Sequence, residues 1–206
     1  MDGIFFYWVS WIVWVCVMFF IPKTVAYRFD FLFHLLAIMV LVGYTLEVSS
    51  FTMHISGLYL FLILCVYIRK RSPLKTIELV IGSLIVTLAY ASFQLFSLLD
   101  PIWLFIKAPY LLCIFLNYLI LLLFKDWKSR MSVLLLGMTL GDLVYSGLLH
   151  FHSMTYVALS YAWHDNVVMV LTTNALWRLL EVLCGYIFAS SQARVLSEER
   201  KENFTQ

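Results

Sequence analysis

Apolar runs broken by short polar or charged connections recur along the whole chain, at about 3–21, 31–46, 53–68, 77–99, 104–124, 131–149 and 167–190. An α-helix needs ~20 mostly apolar residues to cross a ~30 Å hydrocarbon layer. The pattern therefore predicts an all-α fold, a polytopic transmembrane helix bundle of about seven spans. The second and third runs are the shortest. Between the fourth and fifth runs, Lys107 and Pro109 interrupt the apolar pattern, so residues 102–106 either lie in the membrane interface or open the fifth span. Residues 1–193 are then expected to form a single transmembrane helical domain, followed by a charged tail over 194–206.

Polar residues inside these runs repeat with helical spacing. In the fourth run Ser83, Thr87, Tyr90, Gln94 and Ser97 fall at i, i+4, i+7, i+11 and i+14, and in the seventh Asn174, Arg178, Glu181 and Gly185 share one face in the same way. Such stripes either line a hydrated cavity or hydrogen-bond to neighbouring helices as dry packing. Dry packing asks less of the sequence. Asp142, Arg178 and Glu181 form a candidate intramembrane charge network, since each charge at the middle of a span costs ~2.5–3.5 kcal/mol on the insertion scale. At 1.5 Å per residue, Asp142 and Arg178 fall at comparable depths in antiparallel neighbours, which allows an ion pair. Glu181, one turn from Arg178, is the competing partner. Gly137 and Gly141 form a G-x-x-x-G spacing that lets another helix approach closely, within the bundle or in a homodimer. Packing within the bundle is the simpler reading. His34 and Asn117 are isolated polar residues of the kind that a backbone carbonyl or a neighbouring helix satisfies.

Composition agrees with the pattern and excludes a soluble domain: 63% of residues are hydrophobic, 13% are charged, and the mean hydropathy is +0.92. Charge placement then orients the chain. Lys23, Arg28, Arg69, Lys70, Arg71, Lys75, Lys125, Lys128, Arg130, Arg194, Arg200 and Lys201 fall after the odd-numbered runs, whereas the alternate connections hold only Lys107. By the positive-inside rule the N-terminus is outside and the charged C-terminal tail is cytoplasmic. The opening Met1-Asp2-Gly3 lacks a basic n-region, so the first run is expected to be retained as a span. Cys16, Cys65, Cys113 and Cys184 lie one each in four different runs and read as free thiols.

The connection between the sixth and seventh runs, with the start of the seventh helix, holds His150, His152, His164 and Asp165. Imidazoles and a carboxylate are zinc-type donors, but this spacing matches no template, so these four are weak metal candidates and no metal or cofactor is expected. The alkaline ceramidase-like membrane hydrolases are the nearest enzymatic comparison, and the paired histidines of their last span are absent. No metalloprotease, nucleophile-elbow, Walker or dinucleotide motif occurs, so no catalytic residue is assigned and the protein is not expected to be an enzyme. Nothing points to nucleic acid. The expected partners are the lipid bilayer and either a membrane protein or a second copy; no substrate is indicated.

The aromatic opening Gly3-Ile-Phe-Phe-Tyr-Trp-Val-Ser-Trp-Ile-Val-Trp14, together with the layout of about seven spans over the chain, resembles the YphA-like integral membrane proteins of spore-forming Gram-positive bacteria. The resemblance implies a bacterial plasma membrane and carries no assigned activity, so it adds no catalytic residue. Three functional readings follow. A non-enzymatic membrane interaction or accessory protein leads. A small transporter or proton-coupled carrier using Asp142, Arg178 and Glu181 is the alternative, and an extracytoplasmic metal-dependent hydrolase at the histidine connection is the third.

Overall fold

A computed structural model describes residues 3–25, 27–48, 51–100, 102 and 105–204, with the side chains of 48, 189–191 and 193–204 outside that description. The described chain is mostly helical. Its helices are α1 (Ile4–Phe20), α2 (Tyr27–Leu41), α3 (Ile55–Arg69), α4 (Pro73–Leu99), α5 (Ala108–Leu123), α6 (Trp127–Phe151) and α7 (Tyr161–Phe204). Segments of α4, α6 and α7 (Pro73–Leu99, Trp127–Phe151 and Tyr161–Phe188) are long and apolar enough to cross a membrane, and α1, α3 and α5 are shorter apolar helices. The chain divides into two compact units, Met1–Leu171 and Thr172–Gln206.

Local chemistry sets the helix boundaries. Pro73 and Pro109 sit in the first turns of α4 and α5, where a missing N–H costs nothing. Asp126 caps α6, accepting from the Ser129 N–H at 3.2 Å and the Ser129 hydroxyl at 2.9 Å. Arg28 donates to Met18 O at the end of α1 (2.7 Å), and Arg130 Nε donates to Phe124 O at the end of α5 (2.7 Å). Both place a cation on carbonyls that the helix leaves unpaired.

The all-α expectation meets one exception, a three-stranded sheet of β1 (Thr45–Val48), β2 (Phe51–His54) and β3 (Val157–Ala158). β1 and β2 form an antiparallel hairpin with Thr45 opposite His54, and β3 joins β2 in parallel with Met53 opposite Ala158. The second apolar run therefore ends as a helix at Leu41, and its last residues enter β1 instead of extending the span to 46. The hairpin recovers backbone hydrogen bonds that a broken helix would lose. α5 begins at Ala108, so residues 102–106 precede that helix; Pro101, Trp103 and Leu104 lie outside the described residues. α7 begins six residues before the predicted seventh span and carries the helix through the charged tail to Phe204.

Within the first unit the centre of the core is the α4–α6 contact. A Cβ on Gly137 would stand 2.6 Å from Val86 Cβ and 3.0 Å from Ser83 O, and one on Gly141 would stand 2.8 Å from Tyr90 Cδ1. The G-x-x-x-G pair thus serves packing inside the bundle, as small residues do where helix backbones meet closely. Val86, Leu116, Ile120, Val133, Leu134 and Met138 fill the layer around it. A smaller cluster of Phe6, Met39 and Val42 seats α1 and α2 against Tyr161 and Val168 at the start of α7.

Candidate functional site

The polar stripe of α4 faces α6. Ser83, Thr87 and Tyr90 are buried, while Gln94 and Ser97 are half-buried toward the end of the helix. Thr87 Oγ1 donates to Ser83 O at 2.7 Å and lies 3.2 Å from Gly137 O across the interface. Gln94 Nε2 donates to the Tyr90 hydroxyl at 3.2 Å, and that hydroxyl donates to Asp142 Oδ1 at 3.1 Å. The stripe therefore ends on the buried carboxylate.

Asp142 is fully buried and collects three donors. Besides Tyr90, the Tyr156 hydroxyl reaches Oδ1 at 2.9 Å and the Leu159 N–H reaches Oδ2 at 2.6 Å. Both new partners belong to the connection between α6 and α7. Leu159 adopts a left-handed backbone (φ 55°) and is fully buried, a conformation that costs a side chain with a Cβ ~1–2 kcal/mol. Its side chain lies over α3: a Cβ on Gly57 would stand 2.6 Å from Leu159 Cδ1. Asp142 and the Gly57 gap together hold this strained turn inside the protein. The indole N–H of Trp163 adds a bond to Met138 O at 3.2 Å, tying the same connection to α6. Burial, and after it the Asp142 carboxylate, push the Tyr156 phenol well above its ordinary range, so it remains a donor.

The structure does not bring the four metal candidates together. Asp165 caps α1 from a distance of about 160 residues in sequence, accepting from Gly3 N and Phe6 N at 2.7 Å each. Gly3 permits this entry with φ 94°, where a Cβ would strike Tyr161 Cδ1 at 2.7 Å. His164 is buried with both ring nitrogens engaged: Nδ1 donates to Ser160 O at 2.9 Å, which leaves Nε2 to accept from the Ser56 hydroxyl at 2.9 Å. His152 Nδ1 lies 2.9 Å from Leu148 O in an exposed position, and His150 stands edge-on to Phe51. Among the described residues no three His, Cys, Asp or Glu side chains form a metal-holding group. His34 meets the Tyr59 hydroxyl at 2.8 Å, and Asn117 Nδ2 donates to Cys113 O at 2.9 Å and Val170 O at 3.2 Å.

In the second unit Asn174 is buried, Gly185 has open space where a Cβ would stand, and Arg178 pairs with Glu181. Arg178 NH1 meets Glu181 Oε2 at 2.9 Å and Trp177 Nε1 donates to Glu181 Oε1 at 2.9 Å. The competing partner considered for Arg178 is thus the one it bonds, while the three donors on Asp142 come from the first unit. The Arg178 and Glu181 side chains are 47% and 28% exposed. Around them Leu176, Leu179, Leu180, Leu183 and Ile187 are exposed as well.

Tyr156, Leu159 and Ser56 were not among the residues singled out from the sequence. Tyr156 carries the one readable signal, a polar-tipped aromatic in a short connection near a buried acid. The Leu159 contribution is a backbone N–H and has no side-chain signature.

No solved structure matches this chain. The uncharacterized protein YphA of Bacillus subtilis (strain 168) is 27% identical over 150 residues, covering 71% of this chain and 72% of that protein. The sequence pattern of the YphA-like integral membrane proteins spans residues 2–201. A match of that extent, on a helical fold with three segments able to cross a membrane, means that the chain belongs to the YphA-like integral membrane protein family.

Proposed function

We propose that this protein is a non-enzymatic accessory protein of the bacterial plasma membrane that associates laterally with a membrane partner through α7 beyond Leu171. In this reading the chain crosses the membrane seven times, with the N-terminus outside and the C-terminus cytoplasmic, an orientation that the placement of Lys and Arg supports.

The observation that carries the proposal is the Arg178–Glu181 pair, set in an apolar helix and left partly exposed. Exposed leucines on a membrane helix need only lipid. An exposed guanidinium does not fit lipid: it has five N–H donors, and its one hydrogen bond among the described residues is to Glu181. At the centre of a span the cost of ~2.5–3.5 kcal/mol per charge favours a second helix that supplies acceptors. The satisfied, packed surroundings of Asp142 favour this reading over transport, because a carboxylate that fixes a buried turn is poorly placed to exchange ions. The use of Asp165 as a cap and of His164 as a buried bridge likewise favours it over metal-dependent hydrolysis.

The test is the size of the detergent-solubilised particle from native membranes. The proposal expects a complex larger than one chain, and Arg178→Gln reduces it to the single chain while leaving the thermal unfolding temperature unchanged. A wild-type particle of one chain in mild detergent contradicts it.

A further inference from the structure

One end of the bundle, where α3 hands over to α4 and α5 to α6, holds a cavity of about 410 Å³. That volume is within the ~300–1,000 Å³ of small-ligand sites. Four cations line it, Arg71, Lys75, Lys125 and Lys128, against two carboxylates, Glu78 and Asp126. The carboxylates offset only part of that charge. Asp126, which caps α6 through Ser129, and Glu78 offset two of the four charges and leave two in excess, and the ammonium groups of Lys75, Lys125 and Lys128 make no hydrogen bond or close ion pair among the described residues. Arg71 bonds the Tyr67 hydroxyl and lies 4.9 Å above that ring, which holds the guanidinium at the cavity. Helix ends of both polarities meet here and offset one another, so side chains set the local field.

Leu79, Leu123 and Phe124 add apolar lining to the same cavity. Nearby apolar residues Leu62, Val66, Ile77 and Leu122 are exposed on the flanking helices, the surface that acyl chains cover in an integral membrane protein. Basic groups and apolar side chains lining one cavity at the end of a membrane helix bundle match one ligand chemistry, a phosphate group joined to an apolar body.

We propose that this cavity binds the phosphodiester of an anionic phospholipid, with Lys75, Lys125, Lys128 and Arg71 around the phosphate and the acyl chains along α3 and α5. The site requires only that this end of the bundle meets a headgroup layer, and it is independent of the lateral association proposed for α7.

The experiment uses the full chain purified in detergent, titrated with phosphatidylglycerol, with phosphatidylcholine of the same acyl chains, and with water-soluble glycerol phosphate. Native mass spectrometry and thermal unfolding supply the readouts. Phosphatidylglycerol is expected to bind at a defined stoichiometry and raise the unfolding temperature, with phosphatidylcholine and glycerol phosphate far weaker. Lys75→Gln with Lys125→Gln is expected to weaken phosphatidylglycerol binding about 30-fold, from ~1 kcal/mol per basic residue at a membrane surface. Lys23→Gln with Lys70→Gln, which removes the same charge outside the cavity, changes it less than about 3-fold on the same reasoning. Glu78→Gln tightens binding, a gain that no folding defect produces. Equal binding of both lipids, equal losses in the two double variants, or no gain from Glu78→Gln overturns the site. Glycerol phosphate binding as tightly as phosphatidylglycerol overturns the lipid as its source.

Discussion

Removing the Asp142 carboxylate is the most informative perturbation of the bundle, because three donors from α4 and from the α6–α7 connection meet on it. Asp142→Ala leaves the Tyr90 hydroxyl, the Tyr156 hydroxyl and the Leu159 N–H without their acceptor, at sites bonded in the native protein at 3.1, 2.9 and 2.6 Å. Neutral hydrogen bonds in membrane proteins are worth only ~0.6 kcal/mol on average. A stranded buried donor costs more, about 1–3 kcal/mol. The two phenols can turn toward other acceptors, whereas the Leu159 N–H is fixed by its left-handed backbone. The expected loss is therefore about 2–4 kcal/mol, the largest share of it from Leu159. Asp142→Asn is milder, about 1–2 kcal/mol, since its amide oxygen can accept from Leu159 while its NH2 points at phenol oxygens able to accept. The assay is unfolding in detergent combined with hydrogen exchange at the Leu159 amide, which should lose protection in Asp142→Ala before the α4–α6 core does. Stability within about 0.5 kcal/mol of wild type, the range of an ordinary surface substitution, together with unchanged Leu159 exchange, refutes the reasoning.

Further predictions concern the other fixed points. Asp165→Ala removes two bonds from the start of α1 and should cost about 0.5–2 kcal/mol, read as faster hydrogen exchange at Phe6 with α6 unaffected. Gly137→Ala and Gly141→Ala drive a Cβ into Val86 and Tyr90 and should each cost about 1–3 kcal/mol in unfolding experiments. Gly147→Ala meets open space and should gain up to ~1 kcal/mol from helix propensity. The Ser129 hydroxyl, followed by its N–H and by Lys75 and Arg71, holds the Asp126 carboxyl below the ordinary carboxylate range. A depressed pKa contributes stability that is present above the unfolded value of ~4 and lost as pH falls through the folded value. Asp126→Asn should therefore lose less unfolding temperature than wild type between pH 7 and pH 3, a small effect because the group is exposed.

The helices were legible because their signal is periodic and local. Ser83, Thr87 and Tyr90 had to share a face once α4 was helical, and Gly137 with Gly141 had to admit a close neighbour. The hairpin was hidden for a plain reason: Thr45–Val48 follows an apolar run with no break strong enough to separate four strand residues from a span end. The Asp142 site was half legible. The acid stood out as a buried charge, and Arg178 was an arithmetically sound partner by depth, but the donors came from Tyr156 and from a backbone N–H in a turn whose φ no side chain announces. Asp165 drew attention beside His164 as a possible ligand, whereas its use is to cap a helix at the far end of the sequence. Lys75, Lys125 and Lys128 were read only as markers of orientation, because their convergence on one cavity depends on how α3–α4 and α5–α6 pack.

Lateral association through α7 is tested most directly by site-specific photocrosslinking in living cells. A photoreactive residue at Leu179 or Leu183, flanking the Arg178–Glu181 pair, should give a discrete protein adduct that Arg178→Gln abolishes. The same probe at Leu122 of α5 should give none. Adducts absent at both α7 positions, or unchanged in Arg178→Gln, contradict the account.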